Sequence, residues 1–216
     1  MTATPFSESI QDYLRAIYKL ESEEGRATTS AIAERMVVAP PSVTGMLKKL
    51  AALGLVEHER YRGAVLTETG RRAAIEITRH HRLLEQYLVQ NLGLGIDVVH
   101  AEADRLEHAL SEELEARIDE ELGFPTHDPH GDPIPDAALR VERSKLRRLD
   151  SLLPGEHATI RHVPDADPGL LRYLSRRDLV PGRRVEVREA GASLTVAVAG
   201  ASHAIPREVA EQIGVA

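Results

Sequence analysis

Nine residues, His100-Ala-Glu-Ala-Asp104-Arg-Leu-Glu107-His108, set four metal-capable side chains at i, i+4, i+7 and i+8. On a continuous helix these fall within an arc of roughly 100°. Two imidazoles and two carboxylates on one edge make a ligand set for a divalent cation of hard or borderline character. The neighbouring face carries Ala103, Leu106, Ala109, Leu110 and Leu114, the expected buried stripe. A solvated acidic face explains any one of these carboxylates by itself, so a metal reading needs matching ligands from elsewhere. Two other segments offer them. His81 and Glu85 are four residues apart and share a helix face, beside His80. Asp12 stands next to the apolar Tyr13 near the start of the first expected helix.

Composition narrows the chemistry further. The chain has 216 residues and no cysteine, which excludes disulfides, thiolate nucleophiles and cysteine-ligated zinc or iron–sulfur centres. Its length allows more than one domain. No apolar run reaches the length of a membrane span. MTATPFSES has neither a basic region nor an apolar core of a secretory signal, so a cytoplasmic location and no membrane partner are expected. The net charge of −7 argues against a nucleic-acid partner only until its distribution is considered. Residues 26–72 hold eight Lys/Arg against four Asp/Glu, whereas residues 96–136 hold two against thirteen. A basic segment followed by an acidic one suits a protein that meets a polyanion with one part and cations with another.

The elements that must position these residues follow from periodicity and punctuation. Ile10, Tyr13, Leu14, Ile17 and Leu20 predict a helix over 7–24. Thr28-Thr29-Ser30 caps a short helix, 31–36; a turn through Val38-Ala39-Pro40 leads to a helix over 42–53, with Pro41 in a tolerated first-turn place. Two short strands around Tyr61-Arg62-Gly63 come next, then a long helix from Thr69 to about Asn91. Helix, turn, helix and small hairpin in this order predict a winged helix-turn-helix. Opposite the apolar Val43, Met46, Leu47 and Leu50 lie Ser42, Thr44, Lys48 and Lys49, suited to phosphates and base edges, with Pro41 placed for a thymine methyl. Arg60 and Arg62 at the hairpin tip are placed to grip flanking phosphates or the minor groove.

Residues 97–122 predict two helices or one broken one, and Phe124–Asp136 a Pro/Gly-rich linker without periodic pattern. Leu139–Leu153 begins as helix or connector. The alternating runs 157–163, 184–188 and 193–198 predict a small, SH3-like β-barrel, with 209–213 as a closing helical turn.

The chain resembles the DtxR/MntR family of metal-dependent transcriptional regulators along essentially its whole length. The resemblance rests on Tyr13-Leu-Arg-Ala-Ile-Tyr18, Ile32-Ala-Glu-Arg35, Pro41-Ser-Val-Thr44, Gly54-Leu-Val56, His81-Arg-Leu-Leu-Glu85, Glu107-His108 before Leu110-Ser111, and His130-Gly-Asp-Pro-Ile-Pro135. It implies a mainly α protein with small β elements. The expected domains are a winged helix-turn-helix over 1–72, a helical metal-binding and dimerisation domain over 73–140, and an SH3-like domain over 141–216. It also implies a homodimer on a near-palindromic double-stranded operator, with Mn²⁺ or Fe²⁺ as effector, repressing metal-uptake genes, and no enzymatic activity. A primary metal site is implied at Asp12, Asp104, Glu107 and His108. A second is implied at His81, Glu85 and His100, joined by Asp128 and His130, with Asp167 aligned near an acidic ligand of the C-terminal domain. Iron-type members place Met and Cys where this chain has Asp12 and Asp104, and hard oxygen in place of sulfur favours Mn²⁺. Manganese members carry a Glu at the position of Arg15, which cannot coordinate. Two other readings remain open from the residues alone: a metal-independent winged-helix regulator, and a metal-dependent hydrolase, for which no HExxH, nucleophile elbow or P-loop is present.

Overall fold

The computed structural model describes residues 6–59, 63–142 and 145–216. They cluster into two compact units, each treated by itself. The first comprises the described parts of Met1–His80 with Glu107–Ala109 and Pro135–Arg140; the second comprises His81–Leu106, Leu110–Ile134 and Val141–Ala216.

In the first unit, α1 (Glu8–Glu24), α2 (Thr29–Met36) and α3 (Pro40–Ala52) precede a hairpin of β1 (Val56–Glu59) and β2 (Gly63–Leu66). Apolar residues at helical spacing explain the three helices: Leu14 and Ile17, Ile32, and Val43, Leu47 and Leu50 meet in one core without exposed surface. The Thr28 hydroxyl caps α2 by accepting from Ala31 N at 3.1 Å, and Pro40-Pro41 begin α3 where a missing N–H costs least. The expected start of α3 at Ser42 is thus two residues late, since both prolines lie inside the helix. Glu21 ties the hairpin to the helices. Its carboxylate accepts from Leu66 N and from Arg71 at 2.6 Å on α4 (Glu68–Leu92).

The second unit begins partway along α4, where Leu83 and Leu84 pack with Ala103, Ile118, Leu122 and Ile134. The stretch expected as two helices or one broken one is broken twice. It consists of α5 (Val99–Leu106), a 3₁₀ turn (Glu107–Ala109) and α6 (Glu112–Glu121). Ser111 is the reason the helix restarts: its hydroxyl accepts from Leu114 N and caps α6. The expected buried stripe is corrected accordingly. Ala103 is fully buried, but Leu106 at the end of α5 and Leu114 on α6 are 44% and 52% exposed.

The C-terminal part is a six-stranded antiparallel sheet of SH3-like type, in the order β3 (Arg147–Arg148), β8 (Gly214–Val215), β4 (His157–His162), β5 (Arg184–Ala190), β6 (Ser193–Val198), β7 (Ala201–Pro206). Alternate residues Val185, Val187, Leu194, Val196 and Ile205 point into its core. Two further elements, α7 (Pro168–Ser175) and the short α8 (Arg207–Ala210), complete it. The stretch 139–153, expected to begin as helix or connector, begins as connector: its described residues hold no α-helix, and β3 and a 3₁₀ turn, Leu149–Ser151, follow. No described helix is long and apolar enough to cross a membrane.

Candidate metal centres and nucleic-acid interface

The break after Leu106 divides the opening cluster into two. Glu107 and His108, on the 3₁₀ turn, join Asp12 of α1 within the first unit. His108 Nε2 lies 3.0 Å from Asp12 Oδ1 and 3.8 Å from Glu107 Oε1. Gln11 has no signature in sequence as a site residue, yet it orients the ring. Its Oε1 is 2.7 Å from His108 Nδ1, so Nδ1–H donates to the amide and Nε2 is directed at the carboxylates. Arg15 donates to Glu107 Oε2 at 3.0 Å and balances a carboxylate that has no exposed surface. The residue that cannot ligate thus serves as a counter-charge.

His100 and Asp104, on α5, belong to the second unit with His81 and Glu85 of α4. Asp104, expected with Asp12, has its carboxylate 3.3 Å from His81 Nδ1 and 3.8 Å from His100 Nε2. His81 Nε2, His100 Nδ1 and Glu85 Oε1 form a triangle with all three sides 2.9 Å. Adjacent ligands on one cation at bond lengths near 2.1 Å lie about 3.0 Å apart when they subtend a right angle. Two ring nitrogens and a carboxylate oxygen at this spacing share few inward protons, whereas one cation satisfies all three lone pairs.

Glu85 also reaches toward a third group. Its Oε2 lies 3.6 Å from His130 Nδ1, too far for a hydrogen bond, and that nitrogen is buried without a partner. His130 Nε2–H donates to the Ile96 carbonyl at 2.8 Å, which leaves Nδ1 as the ligand atom. Asp128 completes the group. The segment expected to be a patternless linker is built around this residue. Asp128 Oδ1 accepts from His130 N and Asp132 N, at 2.9 and 3.0 Å, and so folds the loop that presents His130. Gly131 is required there: its φ is +92°, and a Cβ would run into the Arg161 carbonyl of β4. Arg82 holds the same loop through the Pro133 carbonyl at 2.6 Å and stands 3.6 Å from Asp128.

Burial sets the charges of this group. For Asp128, burial and then the Glu85 and Asp132 carboxylates push its carboxyl up to about 8, against Arg82 and His130. For His130, burial disfavours the imidazolium, but Glu85 and Asp128 outweigh it and the pKa rises to about 9. Glu85 is driven upward by burial, yet His81, His100 and His130 hold it well below the usual carboxylate range. Protons therefore occupy positions where a divalent cation fits, and two of the donors are buried carboxylates. Asp167, aligned by resemblance near this site, caps α7 by accepting from Gly169 N at 2.7 Å and belongs to none of the ligand groups found among the described residues.

On α3, the face opposite the core exposes Pro41, Ser42, Lys48 and Lys49. Thr44 is half-buried, and its hydroxyl donates back to the Pro40 carbonyl at 3.1 Å. Arg60 and Arg62 lie outside the described residues.

Comparison with known proteins identifies the domains. Residues 5–64 match the model of the iron dependent repressor N-terminal DNA binding domain. Residues 67–136 match its metal binding and dimerisation domain, and 147–216 match the FeoA domain. The iron-dependent repressor IdeR of Mycobacterium tuberculosis is 34% identical over 96% of both chains. A solved manganese-dependent transcriptional repressor in complex with manganese is 39% identical, with a TM-score of 0.86 over 95% of this chain and 98% of that one. IdeR of T. acidophilum is 31% identical with a TM-score of 0.78, over 99% and 98%. Near-complete coverage at these identities, with a winged helix, a helical ligand-bearing part and an SH3-like sheet in the same order, shows that the chain belongs to the iron-dependent repressor, or DtxR/MntR, family.

Proposed function

We propose that this chain is a homodimeric, cytoplasmic repressor that grips a near-palindromic DNA operator when loaded with Mn²⁺, with Fe²⁺ as the competing effector. Its DNA-binding domain is taken as 1–72, its metal-binding and dimerisation domain as 73–140, and its SH3-like domain as 141–216. No catalytic role is assigned to any residue. The observation that carries this reading is the convergence of Asp12 with Glu107 and His108, bringing the first helix of the winged-helix domain to a turn far along the chain.

Asp12, Glu107 and His108 are the proposed regulatory ligands. Their neighbours explain how they remain ready. Gln11 fixes the His108 ring, and Arg15 neutralises Glu107. Asp12 is 36% exposed at its side chain, so its pairing with His108 alone contributes about 1 kcal/mol or less. A bound divalent cation supplies the charge that turns this weak contact into a fixed one. With the start of α1 held to the turn that continues α5, α3 is presented at a defined angle, and the two copies in a dimer match successive major grooves. The coupling is reciprocal, so operator DNA tightens the hold of these residues on the cation.

His81, Glu85, His100, Asp104, Asp128 and His130 are proposed as a second, internal centre bridged by Glu85. The absence of sulfur donors supports Mn²⁺ over softer ions in both centres. Calorimetric titration of the metal-free protein with MnCl₂ tests this reading together with DNA binding in Mn²⁺ and in chelator. Saturable Mn²⁺ binding accompanied by metal-dependent DNA binding is expected. DNA binding of equal strength in both conditions makes the protein a metal-independent regulator instead.

A further inference from the structure

The exposed face of α3 has a gap at its centre. Gly45 is three or four residues from Pro41, Ser42, Lys48 and Lys49, so these four exposed residues surround it on the helix surface. Glycine in a helix interior is less stable than alanine. Nothing among the described residues accounts for it. The φ of Gly45 lies outside the left-handed region, and a Cβ built there meets nothing within 4 Å. Gly63 and Gly131 differ, since each has a positive φ and a Cβ at either would strike a backbone carbonyl, of Ala27 or of Arg161. At Gly45 the missing side chain leaves room only for something that lies on the outside of α3.

We propose that Gly45 is the point of closest approach of α3 to the operator and that it seats a thymine methyl against the helix backbone. The inference rests on α3 being the DNA-reading helix. The chemistry of the gap selects the group. Its floor is helix backbone whose N–H groups are spent on helical bonds, and the Pro41 ring borders it. The nearest hydroxyl along the chain, on Thr44, is turned back to the Pro40 carbonyl. No hydrogen-bonding side chain issues from the centre, and the thymine methyl is the apolar group that the major groove presents. Ser42, Lys48 and Lys49 around the rim supply positioning contacts to phosphates. A methyl at residue 45 would fill the gap and lift the helix off the base edge.

The test uses the full-length protein with MnCl₂. Binding sequences are selected from randomised duplex DNA with the wild type and with Gly45→Ala. The wild type is expected to enrich thymine at one position in each half-site. Gly45→Ala is expected to lose that preference and to bind the wild-type duplex about tenfold more weakly, a cost of about 1.4 kcal/mol. Its Tm should be equal or higher, which separates lost recognition from lost folding. Replacing the enriched thymine by deoxyuridine removes only the methyl. It should weaken the wild type and leave Gly45→Ala indifferent, closing a double-mutant cycle. Identical sequence preference and affinity in the two proteins, or wild-type indifference to deoxyuridine, overturns the proposal. If the wild type selects no sequence at all, the DNA-binding reading itself fails, and this inference falls with it.

Discussion

The two metal-capable regions differ in how much of the protein stands around them. Glu85, Asp128 and His130 are buried and held by a folded loop, by Arg82 and by the Ile96 carbonyl. Asp12 is partly exposed, and its carboxylate lies 3.0 Å from His108 Nε2. The buried group has its candidate ligand atoms gathered without a cation, so on the proposed function binding there would add stability to one unit. The open group is the one in which, on the same reading, a cation would change what is held to what. A buried centre suits a structural role and an open one suits a switch.

Breaking the buried centre has the largest expected effect. Glu85→Gln removes the charge around which His81, His100 and His130 gather. Thermal denaturation in chelator should show a loss of about 3 kcal/mol, as when one partner of a buried ion pair is removed. Calorimetry should show that Mn²⁺ binding at this centre is lost while the Asp12 centre still binds. An unchanged melting temperature would mean that the charge is not what organises the group.

Acidity should separate the two centres next. Asp128 and His130, at about 8 and about 9, are protonated at neutral pH in the metal-free protein. A cation must displace those protons, so affinity rises with pH up to this range and falls below it. With two protons released, the fall approaches about 100-fold per pH unit. Titrations in buffers of different ionisation enthalpy count the protons directly. A count of zero at neutral pH contradicts the charge assignment.

The candidate site was legible from sequence as a set of potential donors and not in how the fold groups them. His100, Asp104, Glu107 and His108 stand out as donors, but their partners come from the family resemblance, which places Asp104 with Asp12. The 3₁₀ turn at Glu107 separates Glu107 and His108 from α5, and Asp104 lies beside His81. Gln11, Arg82 and the Ile96 carbonyl act through tertiary contacts that have no spacing to betray them. The winged helix was legible because caps, prolines and apolar periodicity agree there at every step. In the C-terminal part, α7 carried the visible signal Asp167-Pro168, an N-cap followed by a first-turn proline. The strand Ala201–Pro206 is short, poor in β-branched residues and ends in proline, so its place is set by pairing with β6.

Smaller changes sharpen the contrast. Gln11→Ala frees the His108 ring and should weaken Mn²⁺ at the open centre by about tenfold, leaving the buried one unaffected. Unchanged Mn²⁺ affinity at the open centre would show that Gln11 does not orient the ring. Val37 sits between α2 and α3 at φ +53° and is 90% exposed, an uncomfortable setting for a β-branched residue. Val37→Gly should raise stability in chemical denaturation by about 1 kcal/mol, with no effect on either centre; a destabilised variant would show that Val37 makes a contact the strain conceals.

The most direct test compares the wild type with Asp12→Ala on a duplex selected by the wild type, each in Mn²⁺ and in chelator. The wild type should bind at least about tenfold more tightly with Mn²⁺, and Asp12→Ala should bind weakly in both while melting at nearly the wild-type temperature. A variant that keeps its full Mn²⁺ response would contradict the assignment of Asp12, Glu107 and His108 as the switch.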